Sequence, residues 1–325
     1  MFKYLRTTLH PDSYHGHSKQ GPFFEGWYFK LVDAQETEGW VIIPGIYIGV
    51  DPADTHAFIQ VMNGTTGHSI YQTYEPTNFW ADDGKFDVRI RNNHFSASQI
   101  HLDVNHPDIQ IHGELSFQSV TPWPVTLFSP GIMGWYGWIP FMECYHGVVS
   151  LHHTLLGTLE INGKHLDLTG GTGYIEKDWG KSFPKAWIWM QSNHFSHPRT
   201  CLTASAAIIP WGQHSFNGFI AGLWIEDHLY RFATYTGAHL EEYHVSDHEA
   251  WMILVDHSYR LELTARRAEG GILQAPTTTQ MNRRITETLS ACIQVKLTKR
   301  KSGRWQTIFS DEGKWAGLEV VGKLD

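Results

Sequence analysis

The chain has 325 residues, 42% of them hydrophobic, with 33 Asp+Glu against 25 Lys+Arg and a formal charge of -8. That length suffices for two medium domains or one large β structure with a substantial core, and a mean hydropathy of -0.30 belongs to a soluble globular protein. The acidic balance excludes a nucleic-acid partner, because neutralising phosphates needs a basic surface.

Residues 1–22 carry Pro11, Gly16, Gly21 and Pro22 and read as a lead-in arm without a secretory signal. Three cysteines, Cys144, Cys201 and Cys292, give no disulfide framework, so a reducing cytoplasm is the expected location. Phe23–Leu31 predicts a strand with Phe23, Glu25, Trp27 and Phe29 on one face, a carboxylate among aromatics. Further strands are expected at 40–50, 57–62, 69–74, 86–90, 99–104 and 109–117, with a kink or bulge at Pro44-Gly45.

Residues 115–142 contain no charged side chain, yet Pro122, Pro124, Pro130 and Pro140 preclude a spanning helix. The cluster of Trp123, Trp135, Tyr136 and Trp138 suits a lid over an apolar pocket or a patch resting on lipid headgroups, so peripheral membrane contact through 123–138 is an expectation alongside ordinary packing. Strands at 143–151 and 154–161 follow, then a tight turn at Asn162-Gly163.

Gly171–Gly180 and Trp187–Asn193 read as two strands joined by residues 181–185. Alternation places Tyr174, Glu176 and Asp178 on one face, and Trp187, Trp189, Gln191 and Asn193 on one face of the second strand. Beyond them, segments from Cys201 to Val321 again read as short strands, with Glu241–His248 the one weak helical candidate. The fold expected is all-β, two sandwich or barrel domains, 1–183 and 184–325.

Gly170-Gly-Thr-Gly173 leads into a strand, not a helix, so nucleotide binding is not expected. Gly-x-Ser-x-Gly, His-Glu-x-x-His and Cys-x-x-Cys are absent. The 21 histidines include His15, His17, His152 and His153, but no third ligand has diagnostic spacing, so no metal is expected. Acid chemistry or binding remains. Glu176 and Asp178 would serve as a hydrogen-bonded structural pair or, among apolar neighbours, hold a proton as a general acid. Glu25 and Glu143 are second candidates, each equally suited to accepting backbone N–H bonds. Trp27, Trp187 and Trp189 would pack the core or shelter a cation at roughly 0.5 to 2 kcal/mol each.

Three segments, Phe24–Lys30, Pro140–Ser150 with Glu143 and His146, and Gly173–Pro184 followed by Trp187–Asn193, resemble signatures of the tocopherol cyclase family. The resemblance implies two lipocalin-like β domains, similar to carotenoid 1,2-hydratases, and a redox-neutral cyclisation without a cofactor. In that chemistry a prenyl double bond of a hydroquinone is protonated and the phenol oxygen closes on the tertiary cation to give a chromanol. A Tyr-x-Asp-x-Asn pattern of the hydratases looks like the counterpart of Tyr174–Asp178, which implies Glu176 at the acid position. Glu176 or Asp178 with Tyr174 would then be catalytic, while Glu25, Trp27, Glu143, His146, Trp187, Trp189, Gln191 and Asn193 would contact a hydrophobic substrate. The alternatives are a lipocalin-like carrier that holds an isoprenoid without chemistry, a hydratase, and carbohydrate binding by exposed tryptophans.

Overall fold

The computed structural model describes residues 2–324. Apart from one α-helix, Phe2–Thr8, and three short 3-10 turns, the described regular structure is antiparallel strand. The chain forms two compact units: Met1–Gly64 with His68–Phe183 and Ile272–Ile285, and Thr65–Gly67 with Pro184–Gly271 and Thr286–Asp325. Each sheet wraps its own apolar cluster, the layout of a lipocalin-like shell. Among the described residues no helix is long and apolar enough to cross a membrane.

In the first unit the strand Phe23–Val32 lies between Gly39–Ile48 and Thr172–Gly180, and Thr172–Gly180 pairs on its other side with Cys144–Ile161. Period-2 alternation sends Trp27, Phe29 and Leu31 into the core together with Ile175, Ile42 and Leu155, all fully buried. Burying such a side chain contributes about 1.5 to 3 kcal/mol, so a register slip that turned this row outward would cost most of the unit's stability. Cys144–Ile161 is one long strand whose register shifts between Val148 and Ser150 and again before His153. The Asn162-Gly163 turn forms as expected, with φ of 51° and 77° joining Ile161 to Lys164.

In the second unit Trp187–Ser192 runs between Thr200–Trp211 and Arg304–Val321. Ile188 and Met190 face its core with Leu202, Leu223, Leu254, Leu263 and Ile293.

Four local expectations are corrected. The strands Thr172–Gly180 and Trp187–Ser192 do not form a hairpin, because each pairs with other strands in a different sheet. Residues 239–245 are a strand paired with Glu249–Val255, not a helix, since backbone pairing with a ready neighbour outweighs a weak helical propensity. At Pro44 pairing with Phe23–Val32 pauses and resumes at Ile42 in the same register, so proline's missing N–H costs ladder bonds without a bulge. The helix Phe2–Thr8 opens the lead-in arm, for which the sequence predicts no helix.

Candidate active site

The strand Thr172–Gly180 carries charge on both faces, and its neighbours decide what each face becomes. Directly paired residues share a face. Glu25 pairs with Trp179 and Trp27 with Lys177, whereas Tyr28 pairs with Glu176 and Gly26 with Asp178. Across the other edge His146 pairs with Asp178 and Val148 with Glu176.

On the core face Lys177 and Glu25 are both fully buried, with Lys177 Nζ 2.6 Å from Glu25 Oε1. The backbone N–H of His15 donates to both Glu25 oxygens at 3.1 and 2.9 Å, and Lys177 Nζ also donates to the Ser13 carbonyl. The ammonium lies 5.0 Å from the Trp27 ring and 4.6 Å from that of Trp179, while His15 stacks on Trp179. Burial pushes the Glu25 carboxyl up, but Lys177 and His15 more than reverse this and hold it below its ordinary range. Burial lowers Lys177 despite Glu25. His153, on the same face, is pushed down to about 3 by burial and by His152.

On the opposite face Glu176 is buried, its side chain only 6% exposed. The Tyr174 hydroxyl donates to Glu176 Oε2 at 2.6 Å. The His146 imidazole lies between the two acids, Nε2 at 3.7 Å from Glu176 Oε2 and Nδ1 at 2.9 Å from Asp178 Oδ1. Asp178 is the most accessible of the three at 27%. A line of polar groups therefore leads from half-buried Asp178 through one imidazole to a buried carboxyl and a phenol, and such a line can pass protons. Gly26, across from Asp178, presents no side chain, and Gly45 beside it must be glycine because a Cβ there would lie 2.4 Å from the Phe58 ring. Phe24, Tyr47 and Phe58 pack together on this face as an apolar cluster.

The structure thus brings Glu176, Asp178, Tyr174 and His146 together. It moves Glu25 and Trp27 to the far side of the sheet, a correction to the expected grouping: Glu25 is spent on Lys177 and the His15 backbone, and Trp27 stacks on Phe86 and donates to the Asp12 carbonyl. Glu143 immediately precedes the strand Cys144–Ile161, 3.5 Å from Ser182 Oγ, and burial raises its pKa against the pull of Ser182 and Arg283. Trp187, Trp189, Gln191 and Asn193 are buried in the second unit. There Trp187 Nε1 donates to Glu319 Oε2 at 2.6 Å and Trp189 lies against Gly317, while among the described residues Gln191 Oε1 has no hydrogen-bond partner.

Sequence reading passed over Tyr28 and Glu319 and offered Lys177 as a partner of Glu176 or Asp178, whereas strand register pairs Lys177 with Trp27 and sets it against Glu25. It also passed over a ligand set. One atom each from His146, Glu176 and Asp178 lie within 4.8 Å of one another, close enough to hold a divalent cation. The third ligand escaped notice because His146 reaches Asp178 across the sheet from thirty-two residues away.

A lipocalin-like β shell with a buried carboxyl, a phenol and an imidazole on one strand pair defines a class of proteins that handle apolar small molecules with a few placed polar groups. The profile of the tocopherol cyclase-like family matches residues 110–322, and the chain belongs to that family. The match runs well past Asn193, into a region where the sequence shows family character more than motif, and leaves Phe24–Lys30 outside it. The chain is 23% identical to a probable chloroplastic tocopherol cyclase of Oryza sativa subsp. japonica, over 96% of this chain and 78% of that one. It is 27% identical to the chloroplastic tocopherol cyclase of Zea mays over 44% of this chain and 31% of the relative. The crystal structure of CghA with Sch210972 is similar in fold, with a TM-score of 0.55 at 12% identity, covering 93% of this chain and 89% of that one.

Proposed function

We propose that this protein is an acid-catalysed cyclase of an isoprenoid alkene, acting on a prenylated hydroquinone or a related apolar substrate and needing no cofactor. The observation that carries the reading is the Asp178–His146–Glu176–Tyr174 line, which connects an accessible carboxylate to a buried one. Glu176 gives its proton to the prenyl double bond, and the tertiary carbon becomes a cation. The phenol oxygen of the same substrate attacks that carbon, and its proton returns to the Glu176 carboxylate. One C–H and one C–O bond form, one O–H and one C=C π bond are lost, and the product has the substrate's mass. His146 and Asp178 hold the proton balance of the buried acid, and Tyr174 fixes the orientation of its carboxyl. Tyr28, directly across the ladder from Glu176, supplies an aromatic ring beside the developing charge.

The names of the rice and maize relatives support a quinol substrate and ring closure. Incubation with a panel of prenylated quinols and terpenoid alkenes, read by mass spectrometry, tests the proposal. Isomers of unchanged mass are expected. A gain of one water would make the protein a hydratase, a reading favoured by the partial exposure of Asp178, and recovery of unaltered ligand alone would make it a carrier.

A further inference from the structure

The uncharged segment between Glu114 and Glu143 is not used by this chemistry. Of its tryptophans Trp123 turns inward, 2% exposed, while Trp135 faces outward at 43%. A short turn also faces outward. Val125 bridges Pro130, the backbone of Thr126 and Ser129 closes on itself, and the tip presents Leu127 and Phe128 at 55% and 85% exposure. The turn is tied to the rest of the segment, because Trp138 Nε1 donates to the Leu127 carbonyl at 2.8 Å. Trp138 in turn meets the helix Phe2–Thr8: Tyr4 donates to the Trp138 carbonyl at 2.6 Å and packs edge-on against its indole. Tyr4, Leu5, Val125 and Trp135 are all exposed.

We propose that this surface docks the protein on a lipid bilayer, with Leu127 and Phe128 inserted below the headgroups and Trp135 and Tyr4 at their level. Three features favour a bilayer over a protein partner. A projecting tip that exposes most of a phenyl ring is shaped to penetrate a soft surface, whereas a second copy of the chain would need a matching hollow. Tryptophan and tyrosine are the rings that rest between acyl chains and water. The segment carries no charged side chain, so none has to be stripped of water when the tip enters a bilayer.

The test is flotation of the full chain with phosphatidylcholine vesicles, for the wild type and for Leu127→Ser/Phe128→Ser. A Trp80→Ser variant, altering an exposed tryptophan elsewhere, serves as control. Wild type and control are expected to float, unchanged in 0.5 M NaCl because apolar insertion is not screened, and the double variant to bind at least about tenfold more weakly. Absence of wild-type binding, equal binding by the double variant, or loss of binding in salt would each overturn the proposal. So would self-association by light scattering that the double variant abolishes without any vesicle binding. None of these readouts depends on turnover, so a failure of the cyclase reading leaves them intact.

Discussion

The two faces of the strand Thr172–Gly180 show how one run of sequence yields a sealed ion pair and a polar line that reaches the surface. On the core face the acid meets an ammonium at 2.6 Å, and the pair is sealed by two indoles and by backbone from the N-terminal arm. With Lys177 also bonded to the Ser13 carbonyl and 2.9 Å from His15 Nδ1, the enclosed pair holds the arm to the sheet. On the other face the acid meets a phenol and an imidazole, the imidazole continues to a second, partly accessible acid, and the buried Lys30 pairs with Tyr174 on the same face. The difference lies in access: the core-face pair is sealed from solvent, whereas the other face reaches it through Asp178.

The largest expected effect is on the core face, in acid. His153 has a folded pKa of about 3 against an ordinary 6.5. Between those values the unfolded chain binds a proton that the folded chain refuses, so stability is full above 6.5 and falls as the pH drops toward 3, by on the order of 5 kcal/mol. Glu25 adds to the loss at the acid end, since its depressed folded pKa gives a contribution present above the ordinary carboxylate range and lost as pH falls through the folded value. Urea unfolding midpoints across this range should fall steeply for the wild type and much less for His153→Gln.

Next comes Lys177→Met, which leaves Glu25 buried without its cation. It should cost about 3 to 5 kcal/mol, and the double variant Glu25→Gln/Lys177→Met should recover most of that, because removing both charges removes the desolvation penalty. If the single and double variants unfold at the same urea concentration, the pair is not what holds this face.

The opposite face should respond in rate rather than stability. Glu176→Gln keeps the shape and the Tyr174 hydrogen bond but cannot donate the proton, and a loss of about 100-fold to 10000-fold in turnover of a prenylated quinol is expected. Its melting temperature should stay close to that of the wild type. Wild-type turnover by both Glu176→Gln and Asp178→Asn would remove the acid role from this strand.

Most of the fold was legible before the structure, because alternation and turn residues are local signals. The all-β class and the grouping of Tyr174, Glu176 and Asp178 on one face need nothing beyond period 2. What could not be read was pairing. Whether Glu25 sits beside Glu176 or behind it depends on which residues of Phe23–Val32 lie opposite Thr172–Gly180, and a shift of one residue reverses the answer. The same holds for His146, whose partner is set by a ladder between distant segments and by the bulge that follows it. The N-terminal helix was missed because its seven residues carry too little amphipathic pattern to stand out, and its position depends on tertiary contacts such as Tyr4 with Trp138.

The smallest effects separate a proton route from a metal centre on the same three side chains. His146→Gln removes the titratable group while keeping donor and acceptor atoms, and it should slow turnover about tenfold if the imidazole only replenishes Glu176 from Asp178. Chelation should change nothing if Glu176 is the acid, because a cation held by all three side chains would keep its carboxylate ionised and leave it no proton to give. If turnover collapses with a chelator and returns with a divalent metal, the triad is a ligand set, and His146→Gln should then fail as completely as Glu176→Gln. Equal and modest sensitivity of His146→Gln at every metal concentration would instead mark the imidazole as a carrier of protons.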